Sequence, residues 1–275
     1  MSRIAATFDA LREQGRKAVI PYIVAGDPLG DITVDLMETL VAAGADIIEL
    51  GVPFSDPMSE GPTIQRGHER ALEKGVRLRT VLDTVAAFRK RDDKTPVLLM
   101  GYANPVEHMG HEVFADRARE AGVDALLTVD IPPEEVQGLN TALRRVAMDN
   151  IFLIAPTTPQ ARMDLIAAEA SGFIYYVSLK GVTGAGNLDQ ASVAEHVAQI
   201  RTHSDLPVCV GFGIKDGASA AAVAGVADGV VVGSALVQRL ADVVEEGGDA
   251  AAVLDAAQSL LGDIRRHVDA VSTAQ

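Results

Sequence analysis

Two glutamates near one another in the sequence are the residues best suited to acid–base chemistry. Glu49 lies inside the apolar run Ile47–Val52, and a carboxylate is rarely buried without a partner or a task. Glu60 lies in the loop that follows, among Pro, Gly and Ser residues. Burial raises a carboxyl pKa toward the range useful for proton transfer, so the two could act as an acid–base pair across a substrate. The alternatives are a structural Glu49 that accepts a backbone N–H and a solvated Glu60.

A second group of residues has the composition of a phosphate site. The motifs V-G-F-G-I and V-V-G-S-A end two late apolar runs and contain Gly213, Gly233 and Ser234. In α/β barrels, phosphate often binds to backbone N–H groups in the loops after the last two strands. These residues therefore predict a phosphorylated small substrate. Ser234 could instead cap a helix that begins near Leu236.

Apolar runs and helical patterns alternate along the rest of the chain, and these elements must position the side chains above. Strands are predicted at Ala18–Ala25, Ala45–Val52, Pro96–Ala103, Ala125–Ile131, Asn150–Ala155, Phe173–Ser178, Pro207–Ile214 and Gly229–Val232. Helices are predicted at Ile4–Gly15, Asp31–Ala43, Thr63–Lys74, Arg79–Lys90, Glu112–Ala121, Glu134–Met148, Gln160–Ala170, Ser192–Thr202, Gly217–Gly225, Leu236–Glu246 and Asp249–Val268. Continuously apolar strands are typical of a parallel sheet that is buried on both faces.

The recurring strand–helix units predict an α/β fold, a (β/α)8 TIM barrel with an extra N-terminal helix and inserted helical segments. A doubly wound sheet is the alternative, but evenly recurring units without a composition break favour the barrel. With no linker in the chain, residues 1–275 are predicted to form a single TIM-barrel domain. In such a barrel Ile48 and Leu50 face the covering helices, and Glu49 points into the barrel mouth.

Two loops are longer than the others, Pro53–Pro62 after the second strand and Leu179–Ala191 after the sixth. Active sites of barrels lie at the carboxyl ends of the strands, so function is expected in these loops. Asp56, in the first of them, could cap a turn or contact another protein.

Composition excludes several classes of protein. The chain has 275 residues, 48% of them hydrophobic, and a net charge of −14. Such an acidic protein is not expected to bind nucleic acid or an anionic membrane. The single cysteine, Cys209, and the lack of a long apolar segment at the N-terminus suit a cytoplasmic protein. No metal site is predicted, because His108 and His111 have no further ligands close in sequence, and the chain contains no cofactor-binding motif.

The stretch I-E-L-G-V-P-F-S-D-P-M-S-E-G-P-T-I-Q closely resembles the signature of the tryptophan synthase α subunit family. Other blocks of the chain are similar to that family in the same order: Ile20–Pro28, Gly101–Pro105, Asp130–Glu135, Ser178–Gly184, V-G-F-G-I and V-G-S-A. The resemblance implies a retro-aldol cleavage of indole-3-glycerol phosphate to indole and glyceraldehyde 3-phosphate. It also implies an α2β2 complex, in which indole passes to a β subunit that carries pyridoxal phosphate, with no cofactor in this chain. The resemblance thus implies a carbon–carbon lyase of L-tryptophan biosynthesis.

Matching positions imply the roles of individual residues. Glu49 would carry out the proton transfers, and Glu60 would accept from the indole N–H, although many members have Asp there. Asp56 would face the β subunit. The residues implied to bind the substrate are Tyr22, Met100, Leu127, Tyr175 and Phe212 around the indole, Gly184, Gly213, Gly233 and Ser234 around the phosphate, and Thr183 in a closing loop. Tyr22 stands where Phe is common in the family.

Two other functions remain open at this point. A stand-alone lyase on the same fold would release free indole, and would turn over rapidly without a β subunit. A regulatory subunit with weak activity would mainly activate its partner, but the presence of both Glu49 and Glu60 argues against it.

Overall fold

The computed structural model describes residues 2–178, 190–211 and 213–272. Within these residues a parallel sheet of nine strands forms, in the order β5-β4-β3-β2-β1-β9-β8-β7-β6. The strands are β1 (Ala18–Val24), β2 (Ile48–Gly51), β3 (Val97–Gly101), β4 (Ala125–Thr128), β5 (Asp149–Asn150), β6 (Phe152–Ile154), β7 (Ile174–Val177), β8 (Val208–Gly211) and β9 (Gly229–Val232).

The two outermost strands of this order are halves of one extended segment, 149–154, which closes the sheet on itself. β5 pairs with β4, and β6 pairs with β7. Between them, the N–H of Ile151 donates to the carbonyl of Leu126 at 2.9 Å. Counted as one, β5 and β6 leave eight barrel strands, and the predicted TIM barrel is confirmed.

Helices cover the outside of the barrel, and two of them follow β2 as the predicted insertion. In the described part of the chain they are α1 (Arg3–Glu13), α2 (Thr33–Ala42), α3 (Pro62–Glu73), α4 (Leu78–Arg89), α5 (Ala103–Met109), α6 (His111–Ala121), α7 (Gln137–Arg145), α8 (Gln160–Glu169), α9 (Gln190–Arg201), α10 (Gly217–Ala224), α11 (Ser234–Glu245) and α12 (Ala250–Ser272). None of the described helices is both long and apolar enough to cross a membrane.

The short helix α5 is not predicted from the sequence. The apolar run from Pro96 was expected to continue as a strand to Ala103, but β3 ends at Gly101 and a helix begins at Ala103. Pro105 suggests a loop here, because proline is unfavourable inside a helix. It lies in the first turn of α5, where a helix has no need of the missing N–H group.

Helix α1 closes the amino end of the barrel with its apolar face. Ile4, Phe8 and Leu11 are buried and belong to the same apolar cluster as the inward-facing strand residues. Phe8 packs against Phe173 with ring centroids 5.8 Å apart. The barrel interior is therefore a packed core below the level of Glu49, with its open end at the carboxyl ends of the strands.

Aspartates connect neighbouring strands at this amino end. Asp46, Asp124 and Asp228 each precede a strand, and each side chain accepts the backbone N–H of a residue at the start of the adjacent strand. The three donors are Val19 at 2.8 Å, Val97 at 2.8 Å and Val208 at 2.9 Å. Each aspartate also forms an ion pair with arginine, so its charge is compensated.

Asp124 has the most extensive of these contacts. Its carboxylate accepts from Arg89 at 2.7 Å and from Arg3 at 2.8 Å, in addition to the Val97 N–H, and its side chain is 3% exposed. Removing this side chain leaves the Arg89 guanidinium, itself 10% exposed, without its carboxylate.

We expect Asp124→Ala to lower the free energy of unfolding by about 3 kcal/mol, the cost of breaking a buried ion pair from one side. Urea denaturation followed by circular dichroism measures it. Asp255→Ala on the exposed face of α12 is the control and should change the free energy of unfolding by less than about 0.5 kcal/mol. Equal effects of the two substitutions would contradict the role of Asp124.

Candidate active site

Glu49 lies on β2 with its side chain inside the barrel. In the sheet register it stands between Tyr22 of β1 and Leu98 of β3. Its neighbours Ile48 and Leu50 belong to the core under the outer helices. Glu49 is completely buried, and neither carboxyl oxygen has a hydrogen-bond partner among the described residues. The structural alternative, a Glu49 that accepts a backbone N–H, is therefore not what this part of the chain shows.

The two glutamates have unusual protonation equilibria. Loss of hydration, together with the nearby charge of Glu60, raises the pKa of Glu49 to about 8. Loss of hydration also raises the pKa of Glu60, to about 7. Since each carboxylate opposes ionisation of the other, they titrate as a pair. Near neutral pH the favoured form of the pair therefore holds one proton.

The loop that carries Glu60 is held at several points. The side-chain amide of Gln65 donates to the carbonyl of Glu60 at 2.8 Å. The N–H of Ser59 donates to the hydroxyl of Tyr102 at 3.0 Å, and the Tyr102 ring stacks on Phe54 with centroids 4.9 Å apart. From sequence, pocket lining and packing are equally expected for Tyr102. The structure shows it as the support of this loop, buried at the end of β3.

Two tyrosines project over glycines on the neighbouring strands. The Tyr22 hydroxyl lies over Gly51, and the Tyr175 hydroxyl lies over Gly211, so closely that any side chain at either glycine would overlap it. Both glycines lie at the carboxyl ends of their strands. Burial and the charges of the two glutamates raise the pKa of each tyrosine well above its usual range. These side chains therefore form neutral walls of the barrel mouth.

His68 of α3 is a part of the site that sequence reasoning missed. It is 1% exposed. Its Nδ1 accepts the backbone N–H of Phe54 at 3.0 Å, and its Nε2 lies 3.3 Å from the Tyr22 hydroxyl. Loss of hydration lowers the pKa of His68 to about 4. The available signal was its position on the buried face of an amphipathic helix, with Ile64 and Ala71, which does not reveal what lies opposite.

The residues predicted to bind phosphate follow two adjacent strands. β8 and β9 pair through Gly211 and Val231, and Gly213 and Gly233 each come two residues after that pair. Gly213 has a φ of 78°, in the left-handed region that glycine adopts readily. Gly233 is the N-cap of α11, and Ser234 is the first residue of the helix. No side chain forms a capping hydrogen bond at this end. The alternative of Ser234 as the cap is therefore wrong.

The remaining predicted residues have different positions. Met100 and Leu127 pair between β3 and β4 and pack with the barrel interior. Asp56 is exposed and accepts from the Ser55 hydroxyl at 2.5 Å. Thr183, Gly184 and Phe212 lie outside the described residues. Within the described ranges, no group of three His, Cys, Asp or Glu side chains is arranged to hold a metal ion.

Comparison with known proteins identifies the family. A family model described as "Tryptophan synthase alpha chain" matches residues 8–265. The chain belongs to the tryptophan synthase alpha chain family. The tryptophan synthase alpha chain of Thioalkalivibrio sulfidiphilus is 59% identical over 269 residues, which are 98% of this chain and 100% of that one. That of Ralstonia nicotianae is 57% identical over 270 residues, again 98% and 100%.

Solved structures agree with this assignment. The crystal structure of tryptophan synthase subunit alpha from Legionella pneumophila superposes with a TM-score of 0.92 and 44% identity, covering 98% of this chain and 99% of that one. A tryptophan synthase structure from M. tuberculosis in an aminoacrylate-bound form gives a TM-score of 0.85 and 37% identity, covering 98% and 100%.

The tryptophan synthase alpha chain is a lyase that cleaves indole-3-glycerol phosphate to indole and glyceraldehyde 3-phosphate. It works with a β subunit, to which indole is passed in the last steps of L-tryptophan biosynthesis. The alpha chain itself needs no cofactor, since pyridoxal phosphate belongs to the β subunit.

The raised pKa of Glu49 makes the stability of the protein depend on pH. The folded-state pKa is about 8, whereas an unfolded glutamate titrates near 4.3. The protonated Glu49 carboxyl makes its full contribution to the free energy of unfolding below the pKa of the unfolded state. This contribution is lost as the pH rises through the folded-state pKa. Between pH 5 and pH 8, we expect the free energy of unfolding to fall by about 3 kcal/mol relative to Glu49→Gln, which cannot ionise.

Urea denaturation of both proteins across this pH range measures the difference. Glu13→Gln, at the exposed end of α1, controls for loss of a carboxylate elsewhere and should follow the unsubstituted chain. Parallel pH dependence in the unsubstituted chain and Glu49→Gln would contradict the buried, protonated state of Glu49.

Proposed function

We propose that Glu49 transfers both protons in the cleavage of indole-3-glycerol phosphate, and that Glu60 stabilises the charge that develops on the indole ring. The observation that carries this proposal is the buried, unpaired Glu49 carboxyl beside a second carboxyl of lower pKa. Pairs of acids whose environments separate their pKa values are typical of acid–base catalysis. One neutral acid and one carboxylate are what this reaction requires.

Protonated Glu49 donates its proton to C3 of the indole ring, which gives an iminium at the ring nitrogen. Glu60, as a carboxylate, accepts from the indole N–H and stabilises this positive charge. Glu49 then removes the proton of the hydroxyl next to C3. A C=O bond forms there, the carbon–carbon bond breaks, and its electron pair restores the indole double bond. Glu49 ends with the proton it had at the start.

The substrate would lie with its indole over the interior core and its phosphate beside β8 and β9. Tyr22, Met100, Leu127 and Tyr175 would form the indole pocket, and the family resemblance adds Phe212, which lies outside the described residues. Gly213, Gly233 and Ser234 would bind the phosphate, and the family resemblance adds Gly184, which lies outside the described residues. The N-terminus of α11 begins at Ser234, and the partial positive charge of a helix N-terminus favours a phosphate group. Thr183, which lies outside the described residues, is proposed from the family resemblance alone to belong to a loop that excludes water from the bound substrate.

Glu49→Gln should reduce indole release by at least about 100-fold, since one group supplies the acid and the base. Indole formation from indole-3-glycerol phosphate, with and without the β subunit, measures the effect. Glu13→Gln serves as the matched control and should retain full activity. Glu60→Asp should keep much more activity than Glu60→Ala, because the carboxylate remains. Normal indole release by Glu49→Gln would refute the assignment.

The same assay separates this enzyme from the other two functions considered. Stimulation of cleavage by the β subunit is expected for an alpha chain, while a stand-alone lyase would be fully active by itself. A regulatory subunit would show little cleavage under either condition.

Asp56 is proposed to face the β subunit. Its position supports this, since it is exposed on the loop that carries Glu60, next to Met58, whose side chain is 81% exposed. An exposed methionine beside a carboxylate suits a contact with another protein.

Asp56→Ala should weaken the complex at least tenfold, because a charge removed from a hydrogen-bonded interface pair costs about 2 kcal/mol or more. The β-subunit concentration that gives half-maximal stimulation of cleavage measures it. The control is Asp255→Ala, on the exposed face of α12. Identical titrations of the two variants would remove Asp56 from the interface.

Residues 1–275 are proposed to act as one domain. In support, β1 near the start of the chain pairs with both β2 and β9, and α12 near its end packs against β1 and α2. Both ends of the chain thus share one core. A cytoplasmic location is also proposed, supported by the single, fully buried Cys209, which suits a reducing compartment.

A further inference from the structure

His68 joins three separate elements of the structure. It belongs to α3, it accepts the backbone N–H of Phe54 at the start of the Glu60 loop, and it contacts the Tyr22 hydroxyl of β1. The sequence of this chain supplies a hydroxyl at position 22, and the fold places a buried imidazole against it.

The hydrogen-bond partners of His68 determine its tautomer. Nδ1 accepts from the Phe54 N–H at 3.0 Å, so it carries no hydrogen. In the neutral ring the hydrogen is therefore on Nε2. Nε2–H then donates to the Tyr22 oxygen, 3.3 Å away. The hydroxyl hydrogen of Tyr22 remains available to point elsewhere.

The position of the Tyr22 hydroxyl shows where that hydrogen can point. The oxygen lies over Gly51, two residues beyond Glu49 on β2 and toward the barrel mouth. The charges that act on it are, in order of strength, those of Glu60 and Glu49. The hydroxyl thus lies in the field of both carboxyl groups, in a region of low polarity where a fixed dipole has a large effect.

We propose that His68 is a positioning residue that acts through Tyr22: its Nε2–H orients the Tyr22 hydroxyl so that the O–H dipole points at the Glu49–Glu60 pair and favours its singly ionised form. This inference rests on the proposed function, in which that form carries out the cleavage. A donor directed at a carboxyl pair stabilises the negative charge, so the first proton leaves the pair at lower pH.

Other ionisable groups lie near the Glu49–Glu60 pair. Burial raises the pKa of Tyr102, Tyr175 and Cys209, so all three stay neutral. Beyond them lie two more carboxylates, Asp130 next to Tyr102 and Asp228 next to Cys209. His68 also stays neutral, since its pKa is lowered to about 4. In the described part of the chain, Glu49 and Glu60 are the facing groups that titrate between pH 6 and pH 9.

Three substitutions separate the parts of this arrangement. Tyr22→Phe removes the hydroxyl alone. His68→Asn keeps an acceptor for the Phe54 N–H near the position of Nδ1 but loses the donor to Tyr22. His68→Gln keeps a donor near the position of Nε2 but loses the acceptor for Phe54. The readout is kcat/KM for indole release by the full-length chain across pH 6 to pH 9, with circular dichroism to verify folding.

In Tyr22→Phe and in His68→Asn, the acidic limb of the pH profile should move to higher pH by roughly 0.5 to 1 unit. Tyr22→Phe combined with His68→Asn should show no further shift, because both changes remove one interaction. His68→Gln should keep the unsubstituted profile, whatever its overall activity.

An unchanged profile in Tyr22→Phe would overturn the inference, and it does so even if His68→Asn fails to fold. Additive shifts in the double variant would overturn it as well. So would a shift in both His68 variants without one in Tyr22→Phe, which would assign the effect to the Phe54 contact. Glu49→Gln distinguishes this failure from that of the proposed function. If Glu49→Gln abolishes cleavage while Tyr22→Phe keeps the pH profile of the unsubstituted chain, only the role of His68 is refuted.

Discussion

The carboxyl group of Glu49 is completely buried in the barrel with no hydrogen-bond partner among the described residues, and the proposed chemistry of the site depends on it. A buried, unpaired carboxylate would be strongly unfavourable, so the group retains its proton at pH values where an ordinary glutamate has lost it. In the proposed mechanism, this retained proton is the one that Glu49 transfers to the substrate. Burial by the surrounding strands is the main cause of the raised pKa of Glu49, and the nearby charge of Glu60 adds to it.

Carboxyl groups at the two ends of the barrel differ in whether their charge is compensated. At the amino end, Asp46, Asp124 and Asp228 accept strand N–H groups and pair with arginines. They are compensated as carboxylates and connect adjacent strands. At the carboxyl end, Glu49 and Glu60 have raised pKa values and no ion pair with an arginine, lysine or histidine of the described residues. Acidic residues thus stabilise the fold at the amino end and are available for the proposed chemistry at the carboxyl end. This agrees with TIM barrels in general, where the amino-terminal face contributes to stability and the carboxyl-terminal face carries the active site.

The sequence was sufficient to predict the features that depend on local pattern. Alternation along β2 places Glu49 on the inner face and its two neighbours on the outer one, and apolar runs locate each strand. Strand ends are less accurate, because apolar residues such as Val129 and Ile131 continue beyond the last ladder pair at Thr128. His68 could not be predicted, since its two partners come from β1 and from the loop after β2. Such a contact depends on how distant segments meet, and no local pattern encodes it.

The loop after β2 shows how Glu60 can be accommodated where the resemblance to the family implies that the shorter Asp is common. Its backbone is held by the bond from Ser59 to Tyr102, by the bond from Gln65 to the Glu60 carbonyl, and by the Phe54–His68 contact. These contacts lie on both sides of Glu60, so its Cα position is determined by other residues. The additional methylene must then be taken up by side-chain torsions, which have several low-energy values, and not by a shift of the backbone. The length of the acid at position 60 and the position of the loop backbone can therefore vary independently.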